Sequence, residues 1–286
     1  MNAALLLATS SSICFGAAVV TSRFGLRALD ARAGAAISIP TAAALLVAVA
    51  PFTIDFAAAT LPATLIFVAV GLMFPALVTL LTFQSNRHLG PVVTSSVSST
   101  APLFALPAAA LLLSEQITPN AALASVGIAA GIAVLFSRGA RRAHRAPGWA
   151  WLLPVAGALL RGLAQALAKA GLLLWPNPFA ASLIGYLVSS LGVVAADRVG
   201  RPQEKKRWTS GAAGWFIVTG MLNGTAVLLM YGALRGAPVS HVAPIIATYP
   251  LVTVLLSALL FKDERIDLRV LAGSAIVAAS VVYLVS

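Results

Sequence analysis

Charge is what this chain has least of. Only 9% of its 286 residues are Asp, Glu, Lys or Arg, whereas 60% are apolar; a typical soluble domain is roughly 25% charged. That composition excludes a water-solvated globule and leaves lipid as the solvent. Acids are scarcest, eight in all, and each of them (Asp30, Asp55, Glu115, Asp197, Glu204, Asp263, Glu264, Asp267) falls in a loop or at the end of an apolar run. An acid at membrane depth, able to bind cation and proton by turns, is missing, which argues against multidrug-cation antiport. Cys14 is the single cysteine, so there is no intrachain disulfide and no thiolate metal cluster. The sequence holds no GxxxxGK[ST] loop, so ATP is not the direct energy source. Neither a His/Asp/Glu metal set, a Ser/His/acid set nor a Cys/His pair occurs at depth or in the short loops, which argues against a membrane-embedded enzyme. No cofactor or metal is expected.

What is present is a succession of apolar runs, each about the 20 residues a bilayer crossing needs. They predict helices near 3–24, 34–53, 61–84, 91–113, 119–137, 149–173, 178–196, 211–234, 239–261 and 267–285. Gly and Pro inside these runs predict local kinks, because neighbouring helices can satisfy the freed backbone groups. The run from Ala3 to Thr21 has no basic flank before it and is followed by Ser22-Arg23-Phe24-Gly25. It is therefore read as the first helix and not as a cleaved leader. The net charge of +11 would suggest nucleic acid in a soluble protein, but here the cations sit in short loops between apolar runs, where they report orientation. No nucleic-acid partner is expected.

The chain repeats itself. Gly16, Arg23 and Gly25 have the spacing of Gly162, Lys169 and Gly171, and Pro91, Pro102 and Glu115 match Pro238, Pro250 and Glu264 with one residue of slippage in each interval. This divides the chain into a first half, 1–137, a basic connector, 138–148, and a second half, 149–286. Five helices per half is an odd number, so the second copy must enter the membrane from the opposite side. The loops test this. Arg27 and Arg32 follow the first helix, while the equivalent Pro176-Asn177-Pro178 has no cation. Asp55 follows the second helix, while its counterpart carries Arg198, Arg201, Lys205, Lys206 and Arg207. Glu115 follows the fourth, while Lys262, Arg265 and Arg269 follow the ninth. Arg87 and Arg235, the remaining pair, do not discriminate. All strongly basic loops then share one face with the connector (Arg138, Arg141, Arg142, Arg145), which the positive-inside rule makes cytoplasmic, with both termini outside.

Pro102-Leu103-Phe104-Ala105-Leu106 followed by Leu113-Ser114-Glu115, and Pro250-Leu251-Val252-Thr253-Val254 followed by Phe261-Lys262-Asp263-Glu264, resemble the proline-to-glutamate signature of the EamA repeat. That repeat builds the drug/metabolite transporter superfamily, and the resemblance covers almost the whole chain. The Trp-Gly often found in the family's first helix is Phe15-Gly16 here. The resemblance implies an exporter or exchanger of amino acids, nucleosides, sugar phosphates or related metabolites. Glu115 and Glu264 sit where helices end and are expected to bond backbone amides of the next turn or pair with nearby cations.

An ionisable side chain at membrane depth usually faces a cavity or a partner. Arg161 lies near the middle of its run, with Gln165 and Lys169 at i+4 and i+8 on the same helix face. A guanidinium there offers a bidentate site for carboxylate or phosphate, with the Gln amide orienting the rest of a small ligand. The alternatives are that Arg161 bonds carbonyls of broken helices and Lys169 snorkels to the interface. Asn223, Tyr231, Gln84, His241, Thr248 and Tyr249 complete the candidate cavity residues. Against each stands a plainer role: an interhelical hydrogen bond for Asn223, an interfacial position for the tyrosines and His241. The hydroxyl-rich stretch Thr94, Ser95, Ser96, Ser98, Ser99, Thr100 reads as close helix packing.

The sequence thus predicts an all-α integral membrane protein, ten transmembrane helices in two inverted five-helix repeats, in a bacterial-type inner membrane. It is expected to export amino acids or related carboxylated metabolites by alternating access around a midplane cavity. Exchange of phosphorylated or nucleotide-linked sugars is the alternative. The expected partners are an anionic small-molecule substrate and the lipid bilayer, with a proton or a counter-solute as the candidate driver.

Overall fold

The computed structural model describes residues 2–136, 146–199, 210–260 and 268–285. The basic cluster Arg138 to Arg145, the loop from Arg201 to Arg207 and the segment Lys262 to Asp267, which includes Glu264, lie outside these. Twelve α-helices are described: α1 Asn2–Gly25, α2 Ala31–Thr53, α3 Leu61–Gly71, α4 Val78–Ser98, α5 Pro102–Leu113, α6 Pro119–Phe136, α7 Leu152–Leu174, α8 Pro178–Val199, α9 Ser210–Gly236, α10 Val239–Ile246, α11 Tyr249–Leu260 and α12 Leu268–Val285. Among the described residues seven helical stretches are long and apolar enough to cross a bilayer. Three further apolar helices, Pro102–Leu113, Pro119–Val134 and Ala275–Leu284, are shorter.

Several of these helices break where their backbone chemistry requires it. Helical hydrogen bonding carries Leu61–Ser98 through as one stretch, although Gly90 (φ 84°, ψ 164°) interrupts it in a conformation that a side chain disfavours. Ser85 Oγ and Thr94 Oγ1 meet at 2.9 Å across that break. Higher in the same stretch Phe74 is extended (φ −139°, ψ 124°) and is joined to Pro75 by a cis peptide bond. Ser189 of α8 satisfies the groups freed there: its hydroxyl donates to Gly71 O at 2.5 Å and accepts from Ala76 N at 3.1 Å.

The run expected over 91–113 is split between α4 and α5 at Ser99–Ala101, and the run expected over 239–261 is split between α10 and α11 at Ala247–Thr248. Proline explains both, since Pro102 and Pro250 lack the amide a continuing helix needs and restrict the residue before them. The two halves mend the break identically. Thr100 Oγ1 donates to Val97 O and Thr248 Oγ1 to Ile245 O, each at 2.7 Å.

Packing exchanges partners between the halves. α1 lies on α9 and on α10 and α11; its counterpart α7 lies on α3 and α4 and on α5; α2 pairs with α8 and α6 with α12. Repeat-related glycines allow close approaches between the halves. A Cβ on Gly16 would stand 2.7 Å from Tyr249 O, and one on Gly162 2.7 Å from Ala101 O, so each half's first helix sits on the other half's broken one. Gly25 meets the ring of Phe216 and Gly171 that of Phe67. Large apolar side chains such as Phe52, Leu111 and Leu191 point outward, as lipid-facing residues of a membrane bundle do.

Candidate functional site

Arg161 stands near the middle of α7 and is 7% exposed. Three aromatic faces surround its guanidinium: the ring centroids of Phe15, Tyr249 and Phe74 lie 5.0, 5.5 and 5.7 Å from Cζ. Each helix irregularity brings one of them. Gly16 lets α1 close on the α10–α11 break and carries Phe15 inward, Tyr249 opens α11 after that break, and Phe74 is the extended residue before Pro75. The rings' negative faces favour the cation, but they accept no conventional hydrogen bonds. Arg161 Nε and Nη1 have no acceptor among the described residues, and each buried, unmet donor costs about 1–3 kcal/mol.

A cavity of about 20 Å³, room for roughly one water, adjoins this guanidinium. Its walls include Val19, Thr79, Phe83, Tyr186 and Asn223, drawn from α1, α4, α8 and α9. Tyr186 is 1% exposed and its hydroxyl likewise lacks a partner. Gln165, one turn beyond Arg161, donates weakly from Nε2 to Met230 Sδ at 3.6 Å, and its Oε1 is unbonded. Buried polar groups without partners therefore gather at the meeting point of helices from both halves.

The other expected residues divide clearly. Asn223 lines the cavity and Tyr249 touches Arg161. Lys169 shares Arg161's helix but is committed elsewhere: Nζ donates to Leu234 O at 2.6 Å and Ala237 O at 3.1 Å, holding the carbonyl end of α9. Glu115 holds the amide end that follows, accepting from Val239 N at 3.0 Å and Ser240 N at 2.8 Å. It bonds backbone amides as expected of it, but those of the opposite half and not of its own next turn. His241 lies beside that turn, its Nδ1 3.5 Å from Ser240 Oγ. Tyr231 is buried in the core and Gln84 is half-buried, neither on the cavity wall. Thr248 is at the break, 3.0 Å from Ser12 Oγ. The hydroxyl stretch satisfies backbone as well as packing closely, with Ser95 and Ser96 both donating to Val92 O. Phe74, Thr79, Thr82 and Tyr186 escaped the sequence reading. The one available signal was Tyr186, a tyrosine in mid-run and not at a run's end.

Residues 2–137 and 148–286 match the family model described as the EamA-like transporter family. No curated protein matches the chain. A solved structure described as the crystal structure of a protein aligns with a TM-score of 0.76 at 14% identity, over 99% of this chain and 96% of that one. At that identity the likeness carries the fold alone.

Proposed function

Because this chain belongs to the EamA-like transporter family, we propose that it is a ten-crossing secondary carrier that exports small metabolites bearing an anionic group, amino acids or related carboxylated compounds foremost. Arg161 carries the proposal. A buried guanidinium with two unmet donors, on a cavity where both halves meet, is suited to an oxyanion. The choice of a carboxylate follows from the count of cations. Lys169 is occupied by carbonyls off the cavity wall, and among the described residues Arg161 is the one cation on that wall, a match for one negative charge. Tyr186 and Asn223 offer hydrogen bonds to the remainder of the solute, and Phe15, Phe83 and Val227 contact its apolar part. Exchange of sugar phosphates is the second reading, and the arginines gathered where α1 ends favour it.

Broken helices from two repeats crossing at mid-depth are the usual setting for alternating access. The inverted arrangement is supported by Asn177, whose Nδ2 donates to Thr53 O at 3.2 Å. The loop after α7 thereby meets the far end of α2 from the loop after α1, although α7 and α1 are equivalents. The basic loops place both termini outside and the connector in the cytoplasm of a bacterial-type cell, and a proton or counter-solute drives the cycle.

Purified protein in liposomes, assayed for counterflow of labelled amino acids, organic acids and sugar phosphates, tests the reading. One class should exchange in the wild type and cease to do so in Arg161→Ala. Flux that survives the substitution removes Arg161 from the site, and a panel in which nothing exchanges overturns the carrier assignment for these solutes.

A further inference from the structure

Gln165 stands one turn beyond Arg161 on α7 and is 2% exposed. Its amide is half engaged. Nε2 lies 3.6 Å from Met230 Sδ, and Oε1 has no partner. The orientation of that amide follows from chemistry, because a thioether accepts hydrogen bonds and cannot donate one. The nitrogen must therefore face the sulfur, and the free end is the carbonyl oxygen. A buried acceptor left unmet carries a desolvation penalty, as the unmet donors of Arg161 do.

Arg161 and Gln165 thus leave complementary atoms free on one helix face: two donors, Nε and Nη1, and one acceptor, Oε1. Side chains at i and i+4 on a helix have Cβ atoms about 5–6 Å apart, so the groups they hold belong to neighbouring atoms of one solute. Tyr186, whose hydroxyl is also unpartnered, can serve either group. Gln165 and Met230 lie outside the present cavity wall, but that wall reaches Arg161 on α7 and Val227 on α9, one turn short of the pair on each helix. A cavity of about 20 Å³ must enlarge to take a solute, and Met230, unbranched and flexible, is suited to give way on that side. No acid lines the cavity among the described residues, so a donor on the solute has neutral oxygens to meet.

We propose that Gln165 Oε1 accepts from a hydrogen-bond donor on the carbon next to the solute's carboxylate, so that the site selects 2-amino or 2-hydroxy acids over carboxylic acids with no donor there. This rests on the carboxylate reading of Arg161 above. Acids of one carbon skeleton separate the two: leucine, 2-hydroxy-4-methylpentanoate, 4-methyl-2-oxopentanoate and 4-methylpentanoate share the carboxylate, and only the first pair has the donor. Each is titrated at constant ionic strength against the full-length protein in phosphatidylcholine nanodiscs, and the thermal midpoint is followed by tryptophan fluorescence. Wild type should half-saturate with the donor-bearing pair at concentrations at least about tenfold below those for the other pair. Gln165→Met, of matching length, and Gln165→Leu should each narrow that ratio to less than about threefold, and Arg161→Gln should lose the response to every acid. Whichever of the donor-bearing pair half-saturates lower identifies the donor as ammonium or hydroxyl. A ratio that survives both Gln165 variants, or a wild type that binds all the acids alike, overturns the inference and leaves Arg161 as the carboxylate site. A wild type that answers none of them overturns both.

Discussion

Arg161 shows how a charge is kept inside a bundle with no counter-charge beside it among the described residues. Its cation rests against Phe15, Phe74 and Tyr249, interactions worth about 2 kcal/mol or more each when desolvated, while its donors remain available to a solute. Lysine presents a compact ammonium in place of a fork. Arg161→Lys is accordingly expected to keep the fold and still lose at least about tenfold in counterflow rate, the loss of one charge-assisted hydrogen bond. Tyr186→Phe separates binding from stability. Removing a buried hydroxyl that has no partner should leave the thermal midpoint unchanged or raise it, whereas the half-saturating solute concentration should rise about tenfold. A drop in midpoint with unaltered affinity would make Tyr186 a packing residue. Arg161 was legible in sequence because a charge within an apolar run is conspicuous. Its aromatic partners were not: Pro75 disfavours helical backbone at Phe74, but nothing in the spacing says that the ring then turns toward Arg161. Lys169 was placed on the correct helix face, but spacing along a helix identifies a face and not what faces it. The carbonyls of Leu234 and Ala237 belong to another helix.

At the scale of elements, the breaks are stabilised and not merely tolerated. Ser189 bridges both sides of the Phe74 break from a neighbouring helix, so Ser189→Ala strands a carbonyl and an amide. A loss of about 1–3 kcal/mol is expected in a reversible unfolding titration, together with faster proteolysis near Pro75. Gly162→Ala drives a methyl toward Ala101 O, 2.7 Å from the ideal Cβ position, with Ala105 N and Phe104 Cβ at 2.8 Å. Backbone cannot swing aside as a side chain can, so the variant should lose about 1–3 kcal/mol. Gly192→Ala, where nothing lies within 4 Å, is the control and should be neutral. The prolines told the sequence reader that helices would bend near Pro102 and Pro250. They did not tell that the chain would divide there, because division depends on Thr100 and Thr248 closing the ends and on α1 and α7 filling the gap.

For the whole molecule, orientation is the testable quantity. With Cys14→Ser as background, Pro176→Cys lies in the loop after α7 and Arg32→Cys in the first turn of α2, both exposed and at repeat-related ends. An impermeant maleimide applied to intact cells should label position 176 directly and position 32 only after permeabilisation. Labelling of both from outside would remove the inversion; the reverse pattern would turn the molecule over. Charge alone predicts the pairing of loops, since the face on which loop cations gather reports orientation. The bond between Glu115 and the amides of Val239 and Ser240 was not legible, because it joins residues 124 and 125 apart in sequence. The close seats at Gly16 and Gly162 also set a timetable. α1 rests on α10 and α11, which the ribosome makes long after it. The seat of α1 is therefore incomplete until helices of the second half, made after it, have joined the bundle.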